Sequence, residues 1–94
     1  MKKNIKKMKV AVWDTYVKRK DGRVMHFDIL VPVEVKNEET IFNFGKDYLQ
    51  SIKEAGQVLS ANECQFCHVE QATDEMVVNI QQKGYYIIEM QNCK

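Results

Sequence analysis

Two groups of residues in this 94-residue chain have the types and spacing for chemistry. The first is Cys64-Gln65-Phe66-Cys67-His68, a C-x-x-C-H run compatible with three activities. Two thioether bonds and an axial imidazole would hold a c-type haem, which in most systems belongs to an exported protein. A thiol pair at a helix N-terminus would be a redox centre, because the helix dipole lowers the first thiol's pKa. As zinc ligands, Cys64, Cys67 and His68 would fill three of four tetrahedral positions, with Cys93 or His26 as the fourth. Residues three apart on an extended strand point to opposite faces about 10 Å apart, so chelation requires Cys64 to sit in a turn. The plainer alternative is that the cysteines serve as small buried hydrophobes.

The second group is His26 and Asp28, two apart on one apolar-rich segment and therefore on the same strand face. A histidine–carboxylate pair near the hydroxyl of Thr15 has the makings of acid–base or nucleophilic chemistry. No Gly-rich oxyanion turn accompanies it, and a cross-strand Thr–Asp hydrogen bond explains the same residues. Phosphate-binding loops, H-E-x-x-H and dinucleotide fingerprints are absent from the sequence.

The elements that must position these groups follow from periodicity. Val10–Val17 and Val24–Val31 are rich in β-branched and aromatic residues and have strand length. Asp21-Gly22 between them signals a hairpin. As a two-residue loop it pairs residues whose numbers sum to 43, so Thr15 faces Asp28, Trp13 faces Leu30 and Val17 faces His26. Pro32 cannot donate to a ladder and ends the second strand. Asn37 caps a helix whose apolar stripe runs Ile41, Phe44, Tyr48, Leu49, Ile52, Ala55, with Gly56 as its stop. Phe66–Gln71 reads as a strand, Thr73 caps a second helix ending at Gly84, and Tyr85–Met90 reads as a buried final strand. The order is β-β-α-β-α-β. It predicts an α+β two-layer sandwich: a four-stranded mixed sheet, its last two strands parallel, with both helices on one face.

That arrangement leaves the other face open. In the two-residue register it carries Trp13, Thr15, His26, Asp28 and Leu30, joined by Phe66, His68, Glu70 and Tyr85 from later segments. The expected function is a non-catalytic binding or regulatory module using this face, with Trp13 and Phe66 giving apolar contact. Thr15, His26, Asp28, His68 and Glu70 would give polar specificity. The occupant would be a protein partner or a second copy of the chain. A zinc protein using Cys64, Cys67 and His68 is the alternative, and an enzyme using His26 and Asp28 the third reading. A register slip of one residue would exchange the two faces.

Composition narrows the classes. Fourteen basic and thirteen acidic residues give +1, with 45% hydrophobic residues, four Gly and one Pro, which excludes disordered and collagen-like chains. Residues 1–23 carry net +7 and residues 24–94 net −6, counting nine Lys/Arg against two Asp and five Lys against eleven Asp/Glu. Met1–Lys7, with four of those lysines, reads as a disordered basic extension ahead of one domain over 8–94. The hairpin basics Lys18, Arg19, Lys20 and Arg23 are confined to the first quarter of the chain, so nucleic acid is not an expected partner. No stretch approaches the ~20 apolar residues of a membrane helix. Three cysteines and no export signal point to a reducing cytoplasm.

The wording of the chain also matters. The segments Val10-Ala-Val-Trp-Asp-Thr-Tyr-Val17, Lys20-Asp-Gly22, Met25-His-Phe-Asp-Ile-Leu-Val-Pro32, Glu63-Cys-Gln-Phe-Cys-His-Val-Glu70 and Gly84-Tyr-Tyr-Ile-Ile-Glu-Met90 resemble a small family of uncharacterised bacterial proteins known as a domain of unknown function. The resemblance spans Met8 to Cys93. It implies a single small α+β domain and carries no catalytic role onto any residue.

Overall fold

The computed structural model describes residues 8–94, so the basic extension expected over 1–7 lies outside it. The elements are β1 (Lys9–Lys18), β2 (Val24–Pro32), α1 (Glu38–Ser51), β3 (Cys64–Gln71), α2 (Asp74–Lys83) and β4 (Tyr86–Gln91). The α+β class and the β-β-α-β-α-β order are as expected. No helix among the described residues is long and apolar enough to cross a membrane.

The sheet order is β3-β1-β2-β4, and every neighbouring pair is antiparallel. The mixed sheet predicted above is therefore corrected. β3 and β4 lie at opposite edges and run in opposite directions, so α2 carries the chain across the whole sheet. β4 is accordingly a half-exposed edge strand and not a buried one.

The hairpin sets the faces. Arg19 N–H donates to Arg23 O at 2.7 Å and Gly22 N–H to Arg19 O at 2.9 Å. The loop thus holds three residues, Lys20-Asp21-Gly22, with Gly22 at φ +92°. A three-residue loop closing on a left-handed glycine is a common alternative to the two-residue turn. The pairs now sum to 42: Trp13 faces Ile29, Thr15 faces Phe27, and Asp14 faces Asp28. Against the predicted register, every β2 side chain has changed sides relative to β1.

One face then gathers Ala11, Trp13, Val17, Met25, Phe27, Ile29 and Val31 beneath Ile41, Tyr48 and Leu49 of α1. Gly45 lets the helix approach closely, since a Cβ there would collide with Leu59 and meet Ile29. Val10, Val12 and Leu30 point the other way and pack with Met76, Val77 and Ile80 of α2. The helices therefore lie on opposite sides of the sheet, not both on one. Both faces are apolar at this end and each needs cover. A ten-residue helix is about 15 Å long against about 33 Å for a ten-residue strand, so α2 shields only part of its side.

α1 begins as predicted, with the Asn37 side chain accepting from Thr40 N–H at 3.0 Å, but stops at Ser51, before Gly56. Lys53 turns left-handed (φ +65°), its N–H donating to Gln50 O at 3.0 Å and that of Glu54 to Leu49 O at 2.8 Å. This is a Schellman closure made without glycine. Glu54 accounts for it: the buried carboxylate accepts from Arg19 Nε at 3.1 Å and Lys20 N–H at 2.9 Å, pinning the helix end to the hairpin loop. A lysine at positive φ is strained, so Lys53→Gly is expected to stabilise the fold by about 0.5–1 kcal/mol. Urea unfolding checks this, and an unchanged or lower midpoint would contradict it.

Candidate functional site

The part of the sheet's α2 side that the helix leaves open carries Asp14, Tyr16, His26 and Asp28. The odd-numbered pairs Lys9/Val33 and Arg19/Arg23 carry ladder hydrogen bonds. Asp14/Asp28 and Tyr16/His26 are therefore non-hydrogen-bonded pairs, where opposed side chains approach most closely. The Tyr16 and His26 rings stack at 4.1 Å and 12°. His26 Nε2 lies 3.5 Å from both Asp14 Oδ1 and Asp28 Oδ1.

Electrostatics follow from burial. Asp28 is 9% exposed, and its carboxyl is pushed up to about 6, first by desolvation and then by hydrogen bonding and repulsion from Asp14. Asp14 is more open. The hydrogen bond from Asp28 holds it below the usual carboxylate range, with His26 contributing. Up to about pH 6 the two carboxyls hold one proton between them, on Asp28. Among the described residues, His26 Nε2 and Asp28 Oδ1 are buried atoms with no hydrogen-bond partner.

β3 completes the face through a bulge. Val12 pairs with His68 and Trp13 with Phe66, leaving Cys67 as the extra residue. The bulge breaks strict alternation. Phe66 stays on the α1 side, edge-on to Trp13 at 5.8 Å, while Cys67 turns to the other, within reach of the Asp14 charge. His68 Nε2 contacts Glu70 Oε1 at 2.9 Å, its Nδ1 contacts Cys67 Sγ at 3.2 Å, and its charge reaches Asp28.

The residues expected on one open face are thus divided by the sheet. His26, Asp28, His68 and Glu70 do share a side. Trp13 and Thr15 are buried on the α1 side, where Thr15 Oγ1 donates to Trp13 O at 3.3 Å, and Phe66 is exposed there. The hydroxyl that a nucleophilic mechanism would use is therefore remote from the His26–Asp28 pair. Leu30 lies under α2, and Tyr85 packs on Phe44 in the α1 core.

The zinc set is divided as well. Cys64 pairs with Thr15 and is buried on the α1 side, while Cys67 and His68 belong to the other. One porphyrin would meet the same separation between the thiols. Neither thiol is activated: burial pushes Cys64 up, and desolvation followed by the Asp14 charge pushes Cys67 up. Neither sits at a helix N-terminus, as a redox pair would.

Asp14 and Tyr16 were not among the expected site residues. In the two-residue register Asp14 reads as a lone interruption of an apolar face. Counting three residues in the hairpin loop places it opposite Asp28, which is the signal that would have found it.

The shared proton gives a pH dependence. Asp28 binds its proton more tightly in the folded state, so folding stability falls as pH rises from about 4 to about 6, and the penalty is complete above that. Asp14 titrates below this window; His26 and His68 oppose the penalty, and the Cys67 thiol stays neutral through it. Asp28→Asn keeps a donor to Asp14 and removes the charge. It should flatten this slope and raise stability at pH 7 by about 1–2 kcal/mol, on the scale of 1.36 kcal/mol per pKa unit. Urea unfolding across pH 4–7 checks this, and parallel curves for the two proteins would contradict it.

Comparison with known proteins accords with the architecture. The NMR structure of protein NE1680 from Nitrosomonas europaea is 45% identical and superposes with a TM-score of 0.81, covering 93% of this chain and 100% of that one. No curated protein matches the chain. The family model described as domain of unknown function (DUF2024) matches residues 8–90, nearly all of the described chain, and the protein belongs to that family.

Proposed function

We propose that the protein is a non-catalytic binding module whose working surface is the open part of the sheet's α2 side. The observation that carries this is the pair of buried atoms without a hydrogen bond, His26 Nε2 and Asp28 Oδ1, 3.5 Å apart and set beside a second carboxylate. Leaving such an atom unsatisfied costs about 1–3 kcal/mol. A surface shaped by stability alone would continue the apolar pattern of Val12 and Leu30 into positions 14 and 28. Retained polar atoms of this kind suit a ligand that satisfies them. Tyr16, half exposed and stacked on His26, offers a flat apolar contact beside them. Cys67, His68 and Glu70 border the same surface on β3.

Trp13, Thr15 and Phe66 are left out of this reading, since they lie on the α1 side of the sheet. Zinc binding through Cys64, Cys67 and His68 draws no support from the arrangement, since Cys64 lies across the sheet from the other two.

If the cluster is kept for binding, the fold does not need it. The double variant His26→Phe/Asp28→Asn preserves the ring stack and the donor to Asp14. Its unfolding temperature should equal the parent's at neutral pH or exceed it by up to about 8 °C, given 4–8 °C per kcal/mol in a domain of this size. A fall of more than about 4 °C on the same scale would mean that the cluster holds the sheet together, and would remove the binding reading.

A further inference from the structure

We propose that Asp14, His26 and Asp28 form a site for a divalent first-row transition ion of the zinc class. The site lies on the surface read above as the binding face and rests on that reading. One donor atom from each residue falls within 4.8 Å of the others. Both His26-to-carboxylate distances are 3.5 Å. That is long for a hydrogen bond, whose N···O distance is about 2.7–3.2 Å. It is close to the donor–donor edge of a tetrahedron with metal–ligand bonds of 2.0–2.1 Å, about 3.4 Å. His26 Nε2 thus stands from each carboxylate at the spacing of two ligands on one small cation, and too far for a good hydrogen bond to either.

Independent support comes from the unpartnered atoms. His26 Nε2 and Asp28 Oδ1 are two of the three donors, and both are buried atoms without a hydrogen bond, on side chains 17% and 13% exposed. A cation would satisfy both, and would offset the repulsion between the carboxylates. The backbone needs no rearrangement, because Asp14 and Asp28 are directly paired on the two central strands, His26 lies two residues from Asp28 on the same face, and Tyr16 holds the imidazole plane. The imidazole nitrogen favours zinc-class ions over Mg²⁺ and Ca²⁺, which prefer larger all-oxygen shells. Cys67 and His68 stand outside the triad.

Calorimetric titration of the chelator-treated full chain with Zn²⁺ at pH 7 tests the site. One equivalent of Zn²⁺ should bind, and millimolar Mg²⁺ should give no heat. Asp28→Asn and Asp14→Asn should each weaken binding by about 100-fold or more, while His68→Gln should change it by less than about tenfold, below the range of about 10–100-fold for outer residues that support a ligand. Amide NMR spectra establish that each variant is folded, and the more exposed Asp14→Asn serves if Asp28→Asn is not. Zinc binding that survives both aspartate substitutions and is lost with His68→Gln would overturn the triad in favour of an exposed surface contact. No zinc binding by the parent, with the His26→Phe/Asp28→Asn chain still fully stable, would overturn the metal site and leave the binding face intact for another ligand.

Discussion

The register between β1 and β2 governs the rest of the molecule. With three residues in the hairpin loop, Trp13, Phe27 and Ile29 share the α1 core, and Val12 and Leu30 fall beneath α2. The same count sets Asp14 against Asp28. One residue fewer would mix the two apolar sets and separate the two acids. The loop is correspondingly well anchored. Arg19 donates to Glu54 and to Asn92 O, and Lys20 N–H bonds to Glu54, so the end of α1 and the C-terminal segment both grip it. The left-handed Lys53 is a local strain accepted for that anchorage, because it delivers Glu54 to the loop.

The acidic cluster sits where the two cores leave a margin. α1 and its loops seal one side of the central strands completely, and α2 seals one end of the other side. Asp28 is therefore dry on its strand side and faces Asp14 and His26 at the boundary with solvent. Burial and like charge both push its proton affinity upward, and the imidazoles counter them only in part. Exposed ion pairs elsewhere, such as Arg23–Asp21, contribute little by comparison, because water screens them. The chemical character of the surface comes from a handful of half-buried groups on the two middle strands and not from the C-x-x-C-H run.

Local signals were legible in the sequence, and relations between elements were less so. Asn37 and Thr73 as caps, Pro32 as a strand end and the apolar stripe of α2 each depend on a few adjacent residues, and each appears where its chemistry requires. The loop after β1 was recognisable as a hairpin, but Asp-Gly serves both two- and three-residue turns, and that ambiguity inverted the facing of β2. The Cys67 bulge is a similar case: one extra residue, invisible to a period-2 reading, separates Phe66 from His68. The side on which each helix packs depends on both faces being apolar, which was obscured once the strands were out of register. His26 and Asp28, like His68 and Glu70, share a side whatever the register, because each pair lies two apart within its own strand.

The sheet order bears on how the chain finds this structure. Its two middle strands are consecutive in the chain and joined by a tight loop, whereas both flanking strands come from the second half and must dock over long loop closures. Contacts close in sequence form at the smallest entropic cost. The earliest stable pairing is therefore the one that unites Asp14 with Asp28. By the same entropic argument, the flanking strands are expected to dock on a hairpin in which that repulsive contact is already made.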